Sequence, residues 1–597
     1  MSSVVARASV RTSPARAAEA RRRGVPRRAG RLLPLGASPL VLFLLAMLVA
    51  PVCLLVLYSF WEAGFFVVVH RFTSANYTSI FEEAIYWRLI LKSLGVGLVC
   101  GGLMVVFGFA MAYAMTFRLA RWGPRILILV MATLLSSYVV RIYAWKTILG
   151  TNGLLNEALI RIGLIDQPLG FLLYGYFAII VTLVYVYLPI VVLPIYAGLQ
   201  DIDPRVLEAS RDLGATPAET FRKVTLPLAM PAIRVGFAFA FVLSSSDYIT
   251  PNLVGGLSGQ MIGNVIADQF GGSSNYPQGA ALSVALVIGF GVVLAGLAAL
   301  GRAAGFLTAH RPRRPRLVER KSPSALARAI LRVPWSAAAT AVLLMYLLAP
   351  LVVVTIFSFN DSPVPGIPFR GFTMSWYRQV IGQSDFHRVL QTSATVALTA
   401  VAIALLIGVP AAFALTRRRF LLSRAVGLGI YGPIVVPGVV IGVALLTTFV
   451  YLGVILGVKT TIFAHALLIV PYVVLVMRAR LASMDPRIEE AARDLGSRPW
   501  RVLRTVTLPQ IIPALLGAAI LGIAISLDEL VVTNFTIGAE ATIPTWIFGQ
   551  MRTGLTPAVN AVAVLLLVVP LTLVGIAAIT VRLRSATRLA RSLEGSG

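Results

Sequence analysis

Long apolar runs without charges constrain the fold of this chain more than any other feature. Residues 32–60, for example, read LLPLGASPLVLFLLAMLVAPVCLLVLYSF and contain no charged side chain. A helix needs roughly 20 apolar residues to cross a bilayer, so this run is long enough for one crossing. Charged residues make up only 13% of the 597-residue chain, against about 25% in soluble domains. The sequence therefore predicts an all-α integral membrane protein.

Apolar segments of this kind recur along the whole chain and divide evenly between its two halves. By the length of a helical crossing we predict about twelve transmembrane helices. They lie near residues 37–60, 92–117, 124–149, 171–199, 229–250 and 279–301 in the first half, and near 336–358, 391–415, 424–453, 461–478, 511–533 and 559–582 in the second.

The formal net charge of +28 can arise in two ways. Clustered arginines can neutralise nucleic-acid phosphates, whereas in membrane proteins Lys and Arg collect in cytoplasmic loops. Here the charge lies between the apolar runs, which favours the membrane explanation and indicates no nucleic-acid partner. Basic and non-basic loops alternate: residues 302–332 are densely basic, and residues 251–278 contain no Lys or Arg. This alternation predicts that both chain termini are cytoplasmic.

One charged segment occurs twice. EASRDLGATPAETFRKVTLP (208–227) returns as EAARDLGSRPWRVLRTVTLP (490–509), at a constant offset of 282 residues. Weaker similarity joins residues 108–118 to 408–418. An even number of spans per copy makes the repeats parallel, related by an axis along the membrane normal. We predict a disordered cytoplasmic tail, two six-helix units joined by a basic cytoplasmic linker, and a C-terminal cytoplasmic tail, over residues 1–35, 36–302, 303–333, 334–584 and 585–597.

The repeated segment has the signals of two short helices joined by a sharp turn. Asp203 is a good N-cap, and Gly214 suits the left-handed conformation that ends a helix. Thr216 and Glu219 have the spacing of a capping box for the next helix. In the second copy Arg498 replaces the capping Thr216. An amphipathic helix at the membrane interface would explain one such copy, but a docking surface for a cytoplasmic partner also explains why the charges and the glycine recur in register.

These motifs resemble the EAA loop of ATP-binding cassette (ABC) importer permeases, and the resemblance covers nearly the whole chain beyond the N-terminal tail. It implies the type I importer (MetI-like) fold, a coupling loop at 201–228 and another at 483–510, and two ATPase subunits, or a homodimer, docked on them. It also implies an extracytoplasmic solute-binding protein as partner and a location in the bacterial inner membrane. The coupling residues carried over are Glu208, Ala209, Arg211, Asp212, Gly214, Leu226, Pro227, Glu490, Ala491, Arg493, Asp494, Gly496, Leu508 and Pro509.

Finer motifs suggest the substrate class. SSYVVRIYAWKTILGTNGLLN (136–156) resembles one permease subunit of spermidine/putrescine-type importers, and GFTMSWYRQVI (371–381) and SLDELVVTNF (526–535) resemble its partner subunit. The two subunits are therefore expected to be fused here. Fused permeases of the ferric iron and thiamine importers leave those substrates open as alternatives.

Nothing in the sequence indicates an enzyme. The phosphate-binding pattern G-x-x-x-x-G-K-[ST] is absent, since Gly is never followed by Lys, so ATP hydrolysis is expected in partner chains. No cofactor is expected, and none of the four histidines indicates a metal site. A carrier driven by an ion gradient is a second hypothesis, because parallel six-helix repeats suit it too. It gives no reason for a repeated docking loop.

Acidic and aromatic residues near the outer ends of the spans are candidates for the substrate path. Carboxylates there could compensate the ammonium charges of a polyamine, or they could cap helix ends or pair with Arg141. Arg141 itself is expected to extend to the outer interface, and its aromatic neighbours either form an interfacial belt or bind an ammonium group. The candidates are Tyr138, Arg141, Tyr143, Trp145, Asp247, Asp528 and Glu529.

Overall fold

A computed structural model describes residues 34–64, 67–134, 136–309, 335–363, 369–418, 420–553 and 557–568, with residues 572 and 575. Within these residues nine helices are long and apolar enough to cross a membrane, or up to eleven if each of two bent helix pairs counts as one span. A further apolar helix, Pro557–Val568, begins the predicted span at 559–582. The prediction of an all-α membrane protein is confirmed.

The first half contains eleven described helices and one small hairpin. Strands β1 (Trp61–Ala63) and β2 (Val68–Phe72) pair antiparallel after the first helix. The helices are α1 Ser38–Tyr58, α2 Ala75–Glu82, α3 Ala84–Arg118, α4 Gly123–Thr133, α5 Tyr138–Leu149, α6 Leu154–Arg161, α7 Tyr176–Gln200, α8 Pro204–Asp212, α9 Pro217–Ser246, α10 Ile262–Gly271 and α11 Tyr276–Ala309.

The helices of the second half repeat this order with two differences. They are α12 Trp335–Phe357, α13 Ser375–Gly382, α14 Ser384–Arg417, α15 Ser423–Val435, α16 Gly438–Tyr451, α17 Val458–Ala482, α18 Pro486–Asp494, α19 Pro499–Asp528, α20 Thr533–Thr536, α21 Ile543–Thr553 and α22 Pro557–Val568. Among the described residues no helix is the counterpart of α6, and the short helix α20 stands where the first half has the π-helical turn Pro251–Gly255.

Three long helices form the centre of each half. Helices α3, α7 and α9 pack against one another in the first half, and α14, α17 and α19 do so in the second. Small residues let these helices approach closely, as is usual in membranes. A Cβ added to Gly97 of α3 would lie 1.8 Å from Ser245 Oγ, and one added to Gly522 of α19 would lie 2.9 Å from side chains of both Ile469 and Val401.

The first helix of each half packs against the other half. Leu40 and Leu44 of α1 are buried in one cluster with Ala400 and Ala404 of α14, and α1 also packs on α16. Conversely, α12 lies against α3, α4 and α5 of the first half. The two halves are therefore interlocked by an exchange of their first helices, which the sequence analysis did not predict.

The third predicted span of each half is broken, so the prediction of continuous helices near 124–149 and 424–453 was wrong. The helices bend by 89° between Gly123–Thr133 and Tyr138–Arg161, and by 99° between Ser423–Val435 and Gly438–Tyr451. In the second half Pro437 is the N-cap of α16 and the preceding Val436 has an extended ψ of 130°. Proline disfavours a helical residue before it, which explains this break.

Several predicted segments fall outside the described residues. These are residues 1–33 of the N-terminal tail, residues 310–333 of the linker and the whole C-terminal tail, residues 585–597. Where the linker was predicted to begin, at residue 303, the structure continues α11 as helix to Ala309.

Candidate functional site

The two predicted coupling loops have the same backbone design. In the first loop the Asp203 side chain accepts a hydrogen bond from the Arg205 N–H (2.9 Å), and Gly214, two residues after the end of α8, has a φ of +83°. In the second, Asp485 accepts from the Arg487 N–H (3.0 Å), and Gly496 has a φ of +81°. Both glycines occupy the left-handed conformation predicted for the turn.

The helix that begins after each turn continues without a break into the fifth predicted span of its half, as α9 in the first half and α19 in the second. In the first loop the capping box is present: the Thr216 N–H donates to Glu219 (3.1 Å), and the Glu219 N–H donates to Thr216 Oγ1 (3.3 Å). In the second, Arg498 is the N-cap and makes no side-chain capping bond. Both copies then pass through a π-helical turn, Phe221–Thr225 and Leu503–Thr507, which delivers Leu226–Pro227 and Leu508–Pro509 to the start of the span.

The loops expose apolar side chains at matching positions. Leu213 is 89% exposed and its counterpart Leu495 is 87% exposed. Val206 and Ile488, also related by the 282-residue offset, are exposed as well. All remaining predicted coupling residues except the half-buried Leu226 are also exposed: Glu208, Ala209, Arg211, Asp212, Gly214, Pro227, Glu490, Ala491, Arg493, Asp494, Gly496, Leu508 and Pro509.

The two loops are anchored to the membrane helices by different chemistry. In the first loop Leu207 is buried, and Ser210 Oγ bonds Thr220 Oγ1 at 3.1 Å. In the second, Glu489 takes the position of Leu207 and accepts a hydrogen bond from Thr507 Oγ1 (3.0 Å). The carboxylate of Glu489 also lies 3.8 Å from Arg417 and 3.7 Å from Arg493. Glu489 was not among the predicted site residues, although it aligns with the apolar Leu207 of the first copy, which indicates an inward position.

Asp247, a predicted substrate-path residue, lies in the interior with its side chain fully engaged. It is only 5% exposed and follows the last turn of α9. Its carboxylate accepts from the N–H groups of Ile249 (2.9 Å) and Thr250 (3.0 Å), from Thr250 Oγ1 (3.0 Å), and from the hydroxyls of Tyr138 and Tyr187. Through these five donors Asp247 joins the end of α9 to the start of α5 and to the middle of α7.

Arg141 forms an ion pair that crosses from the first half to the second. Its Nη2 lies 3.3 Å from a carboxylate oxygen of Asp528, and its Nη1 donates to the Val186 carbonyl at 3.0 Å. Asp528 also accepts from the Tyr138 N–H. The expectation that Arg141 extends to the outer interface was wrong, since its side chain is only 5% exposed. The break after α4 places this arginine in the interior of the protein, within α5, where it needs an internal partner.

Glu529 and a histidine complete this polar region in the second half. Glu529 accepts a hydrogen bond from the Val532 N–H at 2.8 Å. His465, which the sequence analysis did not single out, is buried between Ser526 Oγ and Thr533 Oγ1, each at 2.7 Å from a ring nitrogen. Among the described residues no group of His, Cys, Asp and Glu has the arrangement of a metal site.

The two other predicted aromatic residues lie within the helix packing. Tyr143 is fully buried. Trp145 packs on Tyr185, with ring centroids 5.8 Å apart, and on Tyr346 of α12 at 5.3 Å. Both residues therefore contact other helices of the protein, and the choice between an interfacial belt and ammonium binding stays a prediction. Of the three aromatic candidates, Tyr138 is the one that bonds a carboxylate.

Comparison with known proteins agrees with this architecture. The chain matches the family described as "Binding-protein-dependent transport system inner membrane component" twice, over residues 32–304 and 404–591. It is 34% identical over 223 residues to the spermidine/putrescine transport system permease protein PotB of Escherichia coli K12, covering 37% of this chain and 80% of that protein. It is 35% identical over 230 residues to the corresponding protein PotC, covering 38% of this chain and 87% of PotC.

A solved structure also matches, at lower similarity. It is the crystal structure of a bacterial ABC transporter involved in the import of the acidic polysaccharide alginate, with a TM-score of 0.33 and 18% identity, covering 43% of this chain and 98% of that chain. The two family matches and the repeated helix order show that the chain belongs to the binding-protein-dependent transport system inner membrane components: it is an ABC importer permease in which two permease units are fused.

Proposed function

We propose that this permease imports a polyamine and is driven by separate ATPase subunits bound to its two coupling loops. One observation carries the proposal: both loops expose the same apolar positions, Leu213 and Leu495, at the end of short charged helices. Exposed apolar side chains rimmed by polar ones are typical of docking surfaces for other proteins. Closure of the ATPase pair would then move one half of the permease against the other.

The polyamine substrate is proposed from the acidic residues between the halves together with the substrate named for the relatives. A polyamine carries several ammonium groups, and carboxylates compensate such charges best where water is scarce. Asp528 is suited to contact substrate, because its side chain remains 28% exposed although it pairs with Arg141. Glu529 follows it in the chain. Asp247 suits a positioning role instead, since five donors already occupy its carboxylate.

The placement of the chain in the membrane follows from its charges. We propose that the coupling loops and both termini lie in the cytoplasm, and that a solute-binding protein delivers substrate on the opposite side. The permease units would span 36–302 and 334–584, as predicted from the repeat. Ferric iron and thiamine are alternative substrates of the same architecture.

The test is substrate-stimulated ATP hydrolysis by the chain reconstituted with candidate ATPase subunits. The perturbing variant is Gly214→Val combined with Gly496→Val, because a left-handed backbone costs a non-glycine residue about 1–2 kcal/mol. The matched control is Gly163→Val with Gly453→Val, since these glycines also have positive φ (+72° and +68°) and open space around them. Both variants carry the same backbone strain, but only the first carries it in the coupling loops.

We expect the ATPase to co-purify with the wild type and the control and to be lost from the coupling-loop variant. If the coupling-loop variant keeps ATPase and transport, docking at these loops is refuted and an ion-gradient carrier becomes the better explanation. Binding proteins loaded with putrescine, spermidine, thiamine or ferric iron then identify the substrate. Stimulation by thiamine or iron alone would refute the polyamine proposal and leave the ATPase proposal intact.

A further inference from the structure

A large cavity lies beside the second coupling loop. Its volume is about 1240 Å³, above the roughly 300–1,000 Å³ of most small-molecule pockets. It is formed by the end of α14, the second coupling loop, the start of α19 and residues 34–36, shortly before α1. The lining is mainly apolar, with Val409, Phe413 and Leu503 among the side chains, and arginines border it.

In the first half, aromatic rings fill the corresponding space. The counterparts of Val409, Phe413, Arg417 and Leu503 are Phe109, Tyr113, Phe117 and Phe221, by the offsets of 300 and 282 residues. Their ring centroids lie close together: 6.0 Å for Phe109–Tyr113, 5.8 Å for Phe109–Phe221, 5.0 Å for Tyr113–Phe117 and 5.7 Å for Tyr113–Phe221. The second half replaces three of these rings by two aliphatic side chains and an arginine, so the repeat itself shows which substitutions open the cavity.

The cavity contains cationic groups with unused hydrogen-bonding capacity. Nε and Nη2 of Arg417 are buried without a hydrogen-bond partner among the described residues, and so is Thr416 Oγ1. The Glu489 carboxylate, at 3.8 Å from Arg417, is too far away for a hydrogen bond. Arg418 and Arg504 also line the cavity and are exposed. Buried donors without a partner are costly, which indicates a ligand with anionic oxygens.

We propose that this cavity binds an anionic phospholipid, with acyl chains against Val409, Phe413 and Leu503 and with the phosphate at Arg417, Arg418 and Arg504. The cavity lies where long membrane helices end, which is the level of lipid headgroups, and basic residues there attract anionic lipids. Its apolar walls match acyl chains, and its arginines match a phosphate. Because the four aromatic rings of the first half occupy the matching positions there, lipid bound in this cavity would act on the second coupling loop.

The test measures lipid bound to the purified full-length chain by native mass spectrometry, with dioleoyl phosphatidylglycerol and dioleoyl phosphatidylcholine as probes. Val409→Phe with Leu503→Phe rebuilds the filled arrangement of the first half and should remove one bound phosphatidylglycerol. Arg418→Gln with Arg504→Gln should weaken phosphatidylglycerol binding about thirtyfold, since each arginine near a membrane surface contributes about a factor of five.

The first half supplies matched controls for the charge change. Arg118→Gln with Arg222→Gln removes the counterparts of Arg418 and Arg504, and it should leave phosphatidylglycerol binding unchanged. The arginine variants also keep the test informative if the phenylalanine variant does not fold. Equal binding of the two lipids, or binding unaffected by either cavity variant, would overturn the proposal.

Two further results would assign the cavity to another occupant. If a chain beginning at residue 34 binds phosphatidylglycerol in the cavity and the full-length chain does not, residues 1–33 occupy it and the proposal fails. If the lipid is displaced whenever an ATPase subunit is added, the cavity is part of the ATPase interface and the proposal also fails. Lipid that stays bound in the assembled complex supports it.

Discussion

The ion pair between Arg141 and Asp528 joins the two halves of the permease, and its removal gives a graded prediction. The two perturbations are Arg141→Met, which keeps most of the side-chain volume, and Asp528→Asn, which keeps an oxygen for the Tyr138 N–H. Each leaves the opposite partner without its counter-charge. The two remaining charges differ in their access to water: the Arg141 side chain is 5% exposed and the Asp528 side chain is 28% exposed.

These exposures set the expected magnitudes. Breaking a buried ion pair by removing one partner costs about 3–5 kcal/mol in soluble proteins, but polar pairs between membrane helices couple by only about 0.6 kcal/mol on average and by about 1.7 kcal/mol at most. For Arg141→Met we expect the free energy of unfolding to fall by about 1–2 kcal/mol, because water can reach the remaining Asp528 carboxylate. For Asp528→Asn we expect about 2–3 kcal/mol, because the remaining guanidinium is buried. The double variant should cost about 1–2 kcal/mol less than the sum.

The chain contains a natural probe for the assay. Cys100 is fully buried and Cys53 is exposed, so in a Cys53→Ser background a thiol-reactive dye labels Cys100 only when the helices separate. The temperature at which half of Cys100 is labelled, measured during heating in nanodiscs, then ranks the variants by stability. The control is Arg161→Met, which breaks an exposed ion pair with Glu157 (2.9 Å) and should change the midpoint temperature of Cys100 labelling little. The reasoning would be refuted if the double variant lost as much stability as the two single variants together. It would also be refuted if Arg141→Met lost more stability than Asp528→Asn.

Three other predictions follow from single contacts. Thr216→Ala should lower the stability of the first coupling loop by about 1 kcal/mol through loss of its capping box, whereas Arg498→Ala at the matching position should not; hydrogen exchange of the two loops measures the difference. His465→Leu should cost about 1–3 kcal/mol because the buried Ser526 hydroxyl loses its partner and Thr533, which still donates to the Glu529 carbonyl, loses one of two bonds, as measured by Cys100 labelling. Gly97→Val should prevent close packing of α3 on α9 and sharply reduce the yield of folded chain, as measured by size-exclusion chromatography.

The parts of the fold that sequence analysis predicted well depend on local signals. The apolar runs predicted most of the long helices, since length and composition decide whether a helix can cross a bilayer. In the coupling loops, the capping residue Asp203 and the turn at Gly214 are set by bonds and dihedral angles within a few residues. The same short-range rules hold for Gly496 in the second loop. Such features can be predicted without knowledge of what packs against them.

The features that were missed depend on distant parts of the chain. Pairing of an acidic candidate with Arg141 was one of the alternatives considered, but nothing near Arg141 reveals which acid is its partner, because Asp528 is 387 residues away. An arginine beside aromatic residues was therefore expected at the membrane surface. The exchange of α1 and α12 between the halves likewise has no local signal. The break before α16 did have one, in Pro437, but its counterpart in the first half is Ser137, which gave no comparable warning.

The two coupling loops differ on their inner side and agree on their outer side, and this contrast bears on the partner. Inside, an apolar Leu207 corresponds to the charged Glu489, and each suits its own surroundings in the membrane helices. Outside, Leu213 and Leu495 present the same side chain at nearly the same exposure. Because the two loops pack against different surroundings, packing within the chain does not explain why both expose a leucine at this position. A partner that presents the same groove to each loop would explain it, so we expect one kind of ATPase subunit, as a homodimer, to bind both loops.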